Sequence, residues 1–156
     1  MIRKNNKSRY FFITILACLL SLLIIKISYN KQIWIIFWQY TQVPTMWPAF
    51  ADIDHIYRSL LCKQQGINPF LYNPCEISGT RYQYPVIWLI LFEFLNINNL
   101  LNLKIFLFFS LSAYILSFVF LFETIKKKFN KIILLLLFFS PSSLLLIERG
   151  NVDHII

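Results

Sequence analysis

The sequence predicts an all-α membrane protein with three main transmembrane helices, a short re-entrant or interfacial helix and a helical extracytoplasmic loop. Three observations lead there. Hydrophobic residues fill 58% of 156 positions and charged residues only 14%, against roughly a quarter charged in an ordinary soluble domain. Uncharged apolar runs cover Tyr10–Ile25, Ile105–Phe122 and Ile132–Ile147, where a membrane span takes about 17 to 25 residues. The lysines and arginines behind the net charge of +8 cluster beside those runs, where they act as topology signals. That placement argues against nucleic acid as a partner, although a basic soluble chain would invite it.

Residues 1–9 form a tail with Arg3, Lys4, Lys7 and Arg9 and no acid. No small-residue cleavage site follows, so the apolar run after it reads as an uncleaved anchor rather than a signal peptide. The span covers 10–29 if Lys26 snorkels to the surface. Cys18 lies inside it as a small lipid-facing or packing residue.

Residues 30–102 are too apolar for a floppy linker. Ile33–Tyr40 is rich in aromatics, and Trp34, Trp38 and Trp47 are natural interface anchors. Pro44 and Pro48 interrupt helical continuity. From Asp52 a helix is expected to about Gln65, because Ile53, Ile56, Tyr57, Leu60 and Leu61 make one apolar face, and Gly66 ends it. Prolines and asparagines then signal turns through INPFLYNPC. Cys62 and Cys75, with twelve residues between them, can pair if the segment faces an oxidising compartment, and otherwise remain two thiols. No cysteine–histidine spacing points to zinc. Tyr84–Leu95 is short, begins with a proline and carries Glu93 near its end, which suits a re-entrant helix near 84–95.

Residues 103–122 make the second span, 123–131 a loop, 132–147 the third span, and 148–156 the start of a second outer loop. Lys126, Lys127, Lys128 and Lys131 sit in that short loop with one acid, Glu123, so both it and the N-terminal tail should face the cytoplasm. The first span leaves the cytoplasm, so an odd number of crossings must lie between about Asn30 and Phe122. The span at 103–122 is one, so 84–95 is not a full crossing. The alternative makes 84–95 a real span in a thinned or tilted setting and places the lysines outside. Under the first reading FADIDHIYR (50–58) and ERGNVD (148–153) reach the same outer surface.

These two clusters hold the candidate chemistry. Asp52 and Asp54 are carboxylates at a membrane surface, able to act as a general base. Asp52 could equally be the N-cap of its helix. His55 reads as an exposed helix residue. Arg149 is a phosphate ligand or a headgroup anchor, and Asn151 and Asp153 are ligands or caps for a following helix. Tyr82, Tyr84 and Trp88 read as an interface belt before a sugar platform. Ser110, Ser112, Ala113 and Ser117 offer a small-residue face for close helix packing.

Taken together, FADIDHIY, GINPFLYNPC, RYQYPVIW and SPSSLLLIERGNVDHII, in this order over nearly the whole chain, resemble the start of bacterial membrane glycosyltransferases of the GT-C superfamily. The likeness is to the mannosyltransferase-like group that uses polyprenyl-phosphate sugars. The resemblance implies a bacterial inner-membrane, multi-pass location. It implies a catalytic base in the first outer loop, at Asp52 with Asp54 as second candidate. Substrate contacts would come from Glu148, Arg149, Asn151 and Asp153. A lipid-linked sugar donor and membrane lipids are the implied partners, with the acceptor, glycan or lipid, left open. The resemblance fixes no cofactor, though a divalent metal could bridge Asp52 and Asp153. Family members have many more spans, so the chain is expected to be a truncated portion with little activity alone. The alternatives are a non-catalytic small membrane protein or accessory subunit, and an inert fragment.

Overall fold

The computed structural model describes residues 5–150. Among them are seven helices and no strand: α1 (Asn5–Ile27), α2 (Lys31–Tyr40), α3 (Ala51–Gln64), α4 (Val86–Phe94), α5 (Leu100–Thr124), α6 (Lys128–Phe138) and α7 (Pro141–Arg149). Two are long and apolar enough to cross a membrane, Tyr10–Ile27 within α1 and α5, and the bent pair α6–α7 would make a third if it is one span.

α1 and α5 pack side by side and antiparallel. Tyr10 stacks near Phe120 with centroids 6.0 Å apart, Ser21 meets Ser112 at 3.1 Å, and the Lys104 ammonium lies 4.5 Å from the Tyr29 ring. The start of α1 therefore lies beside the end of α5, and everything between α1 and α5 is carried at the opposite end. With no water at hand, backbone and hydroxyl groups in such helices must be satisfied internally. Accordingly Ser21 Oγ donates to the Ala17 carbonyl at 2.9 Å, leaving its lone pairs for Ser112. Of the expected small-residue face only Ser112 enters this seam; Ala113 is exposed and Ser117 lines the groove beside α6.

The first span ends two residues before its expected limit. Asn30 caps the next helix, its side chain accepting from the N–H groups of Gln32 (3.0 Å) and Ile33 (3.2 Å). The third apolar run is not one straight helix. Pro141 lacks an N–H and disfavours helical backbone before it, so α6 stops at Phe138 and α7 restarts at a 45° angle. Ser140 caps α7 through the Ser143 N–H at 3.3 Å, and Ser143 Oγ donates to the freed Leu137 carbonyl at 2.7 Å. The sequence carried this signal in FFSPSS. The pair runs back along α5, with Lys131 4.7 Å from the Phe122 ring and Phe118 4.0 Å from Phe138. It finishes against the loop before α3.

The main core lies in the layer between the α1 and α5 ends, not between the spans. Ile53, Ile56, Tyr57 and Leu60 turn the expected apolar face of α3 into its centre, and α4 covers them with Trp88, Leu89 and Phe92. Gly66 ends α3 at φ 77°, donating to the Lys63 carbonyl at 3.0 Å. Trp34 and Trp38 differ from expectation. One turn apart on α2, both face inward and are 0% and 2% exposed, so they fill the core, and only Trp47 stays at the surface. Tyr82 and Trp88, at 4% and 5% exposure, are likewise core residues rather than a belt. α4 has nine residues, about 13 Å of helix, far short of a bilayer's roughly 30 Å hydrocarbon core.

The Ser21–Ser112 contact should couple α1 to α5. In a double-mutant cycle of Ser21→Ala and Ser112→Ala in micelles, unfolding measurements are expected to give a coupling near 0.6 kcal/mol, the average for such intramembrane pairs.

Candidate functional site

α3 distributes the FADIDHIYR cluster by helical spacing. Asp52 and His55, three apart, share a face, whereas Asp54 pairs with Arg58 one turn on. Asp52 and His55 line a cleft of about 300 Å³ together with Met46, the loop residues Glu76, Ser78 and Thr80, and Gln83 and Tyr84 before α4. Among the described residues Asp52 makes no side-chain hydrogen bond or ion pair.

Asp54 is differently committed. Its side chain is 13% exposed and accepts from Arg58 Nε at 2.5 Å. Burial pushes its carboxyl above the ordinary 3.8, and the Arg58 bond and charge offset only part of that. It does not line the cleft. Of the two candidate bases, the geometry leaves Asp52 open and Asp54 bound.

Asp52 is not the helix N-cap. α3 begins at Ala51, and the capping position is Phe50, which offers no side-chain acceptor and adopts the left-handed conformation at φ 56°. His55 is half-buried rather than exposed. Its ring stacks on Tyr82 at 5.9 Å with an 8° interplanar angle and lies 5.7 Å from Tyr84. Its Nε2 is buried without a hydrogen-bond partner among the described residues.

The outer wall of the cleft was not visible in the sequence. Glu76 Oε2 accepts from the Ser78 N–H at 2.7 Å, from the Ser78 hydroxyl, and from the Thr80 N–H and hydroxyl at 3.3 and 3.2 Å. Partial burial pushes the Glu76 carboxyl up, but these four donors outweigh it and hold it below the ordinary 4.5. The signal, a glutamate with hydroxyl residues two and four places on and Gly79 between them, is short and common in turns.

Three links tie this wall to α3. Cys62 and Cys75 form a disulfide, 5.7 Å between Cα atoms. Asn73 Nδ2 donates to the buried Ser59 Oγ at 2.8 Å. Arg58 Nη1 reaches the Cys75 carbonyl at 3.5 Å. The same arginine thus holds Asp54 on one side and the wall on the other.

The ERG segment arrives from α7. Glu148 is fully buried; it does not line the cleft, nor does Arg149. Glu148 Oε1 accepts the Met46 N–H at 2.7 Å, and its main-chain carbonyl accepts the Phe50 N–H at 3.2 Å. Glu148 Oε2 and the Trp34 indole N–H are both buried without a hydrogen-bond partner among the described residues. Asn151 and Asp153 lie outside the described residues. Among the described residues no three acidic, histidine or cysteine side chains are placed to hold a metal ion, and a bridge from Asp52 to Asp153 falls outside them.

No protein-family model, curated protein or solved structure matches this chain.

The two carboxyl groups titrate in opposite senses. Glu76, lowered, contributes stability above pH 4.5 that is lost as pH falls through its folded value. Asp54, raised, binds its proton more tightly when folded, so its contribution is lost as pH rises from 3.8 through its folded value. Carboxyl ¹³C NMR titration is expected to put the Glu76 midpoint below 4.5 and the Asp54 midpoint above 3.8.

Proposed function

We propose that this chain is part of a GT-C type membrane glycosyltransferase, in which Asp52 is the base that activates an acceptor for attack on a polyprenyl-phosphate sugar. The observation that carries the reading is the position of Asp52. It is a carboxylate without an internal partner among the described residues, opening into a cleft of about 300 Å³ at the end of the helix pair opposite Lys126–Lys128. In this reading α1, α5 and the bent α6–α7 pair each cross the bilayer. The basic loop then lies in the cytoplasm and the cleft outside it, at the surface where a lipid carrier presents its sugar.

The chemistry follows from that placement. The acceptor hydroxyl gives its proton to Asp52 as its oxygen bonds to the anomeric carbon. The bond from that carbon to the phosphate oxygen breaks, and polyprenyl phosphate leaves. One carboxylate base and no covalent intermediate give inversion at the sugar. To the departing phosphate the reading assigns Arg149, half-buried at the end of α7, whose guanidinium can pair with a phosphate through two hydrogen bonds. Tyr84 and the hydroxyls of Ser78 and Thr80 supply the aromatic and hydrogen-bonding lining that suits a sugar-sized ligand.

A second reading, a non-catalytic subunit of a larger membrane assembly, is favoured by one observation. Ala113 is exposed on α5, and with Ser117, exposed at the groove beside α6, it offers a small-residue surface to another helix.

Two measurements separate the readings. In membranes, Lys127→Cys should react with impermeant thiol reagents only from the inner side and Ser78→Cys only from the outer side; the reverse pattern removes the topology. In nanodiscs supplied with a polyprenyl-phosphate hexose, with water standing in for the acceptor hydroxyl, the chain should slowly release polyprenyl phosphate and free hexose. Asp52→Asn should slow this by about 10² to 10⁴-fold, the range for a lost general base. No release by the unmodified chain would leave the subunit reading, and equal rates for both would remove Asp52 from the chemistry.

A further inference from the structure

We infer that Glu148 is a positioning residue for Asp52 rather than a ligand of the sugar donor, and that Gly150 completes the same clamp; the inference rests on the reading of Asp52 given above.

Glu148 has no surface to offer a substrate. It is 0% exposed and outside the cleft wall. What it holds is the chain entering α3. Its carboxyl accepts the Met46 N–H and its main-chain carbonyl accepts the Phe50 N–H, at 2.7 and 3.2 Å. These two bonds bracket residues 46–50, the segment that delivers the first turn of α3. Asp52 follows Phe50 by two residues, so its direction is set by where this segment is fixed.

The helix start needs outside support. α3 has no side-chain cap, and Phe50 sits in the left-handed region at φ 56°, ψ 46°. A bulky residue there is an outlier that persists only where its surroundings over-determine it. Those surroundings are Trp34, edge-on at 5.1 Å, and the end of α7. Gly150 is itself left-handed at φ 59°. A methyl group on it would lie 3.0 Å from Phe50 Cβ and 3.1 Å from Ile53 Cδ1. Glycine is therefore favoured twice at position 150, once for its left-handed backbone and once for the close approach of Phe50 and Ile53. Glu148 and Gly150 of ERG act on the same residue, Phe50, from two directions.

The clamp can be read at its own amides. In nanodiscs, hydrogen exchange at the Met46 and Phe50 N–H groups and release of polyprenyl phosphate are measured for the unmodified chain, Glu148→Gln, Glu148→Ala and Gly150→Ala. Glutamine keeps a carbonyl acceptor for Met46. It should stay within about threefold of the parent in both readouts, whereas alanine at either position should speed exchange at Met46 and Phe50 by at least about tenfold with α1 and α5 unchanged. Turnover should fall by about 100-fold, as expected when a catalytic group is misplaced by an ångström, with the donor KM little altered. Unchanged exchange in Glu148→Ala overturns the clamp. So does a Glu148→Gln variant that raises the donor KM as much as Glu148→Ala, because that marks a charged ligand. If Glu148→Ala does not fold, Gly150→Ala carries the exchange test alone. Absence of transfer by the parent chain refutes the glycosyltransferase reading, and the exchange result still decides the clamp.

Discussion

The contact between the end of α7 and the loop before α3 is the constraint on which the cleft depends. It joins residues 102 positions apart, through the Met46 N–H and the Glu148 carboxyl. Burying a carboxyl is costly unless it is hydrogen-bonded, and this one is bonded to a backbone group that no helix or turn would otherwise satisfy. The Phe50 N–H is served by the same residue's carbonyl. A donor at a helix start, an acceptor at a helix end and a glycine that admits close approach together lock the third apolar segment to the layer carrying Asp52. That lock places the ERG motif beside FADID.

The second constraint is the attachment of the cleft's outer wall. Residues 73–80 have little apolar surface to bury, and Ile77 is 63% exposed. Their position comes from specific links instead: the Cys62–Cys75 disulfide, the Asn73–Ser59 hydrogen bond and the reach of Arg58. A disulfide acts chiefly by limiting the alternatives open to the unfolded chain, which suits a loop whose own packing is slight. Disulfides persist in oxidising compartments, and the cleft reading puts this loop outside the cytoplasm. The carboxylates of the layer thereby take separate parts. Asp54 is held by Arg58, Glu76 is enclosed by hydroxyl and amide donors, and Glu148 is buried on the main chain. Asp52 is the acid that opens to the cleft without such a partner among the described residues.

Much of the architecture could be read along the chain. The long apolar runs specify helices, because a backbone in a non-polar setting must satisfy its own hydrogen bonds. Ile53, Ile56, Tyr57 and Leu60 announce the buried face of α3 by spacing, and Gly66 its end. Where the reading failed, a local signal was outweighed by packing or went unweighed. Trp34 and Trp38 are the amphipathic residues usual at a membrane surface, yet a helix spacing of four lets both fill one core pocket. Pro141 breaks an apolar run whose composition alone suggested continuity. Asp52 has the chemistry of an N-cap, but the helix starts at Ala51 and its cap falls two residues before Asp52, at Phe50.

By itself the sequence determined that the chain is helical, that it holds runs long and apolar enough to cross a membrane, and which segments carry its ionisable groups. Those properties follow from composition, local spacing and the cost of unpaired backbone groups in lipid. Only the tertiary structure decided which of those groups face a cleft and which are spent on one another. It separated Asp52 from Asp54, turned Glu148 inward and raised a wall from Glu76, Ser78 and Thr80. Such assignments depend on contacts between residues far apart in the chain, and short-range patterns carry no record of them.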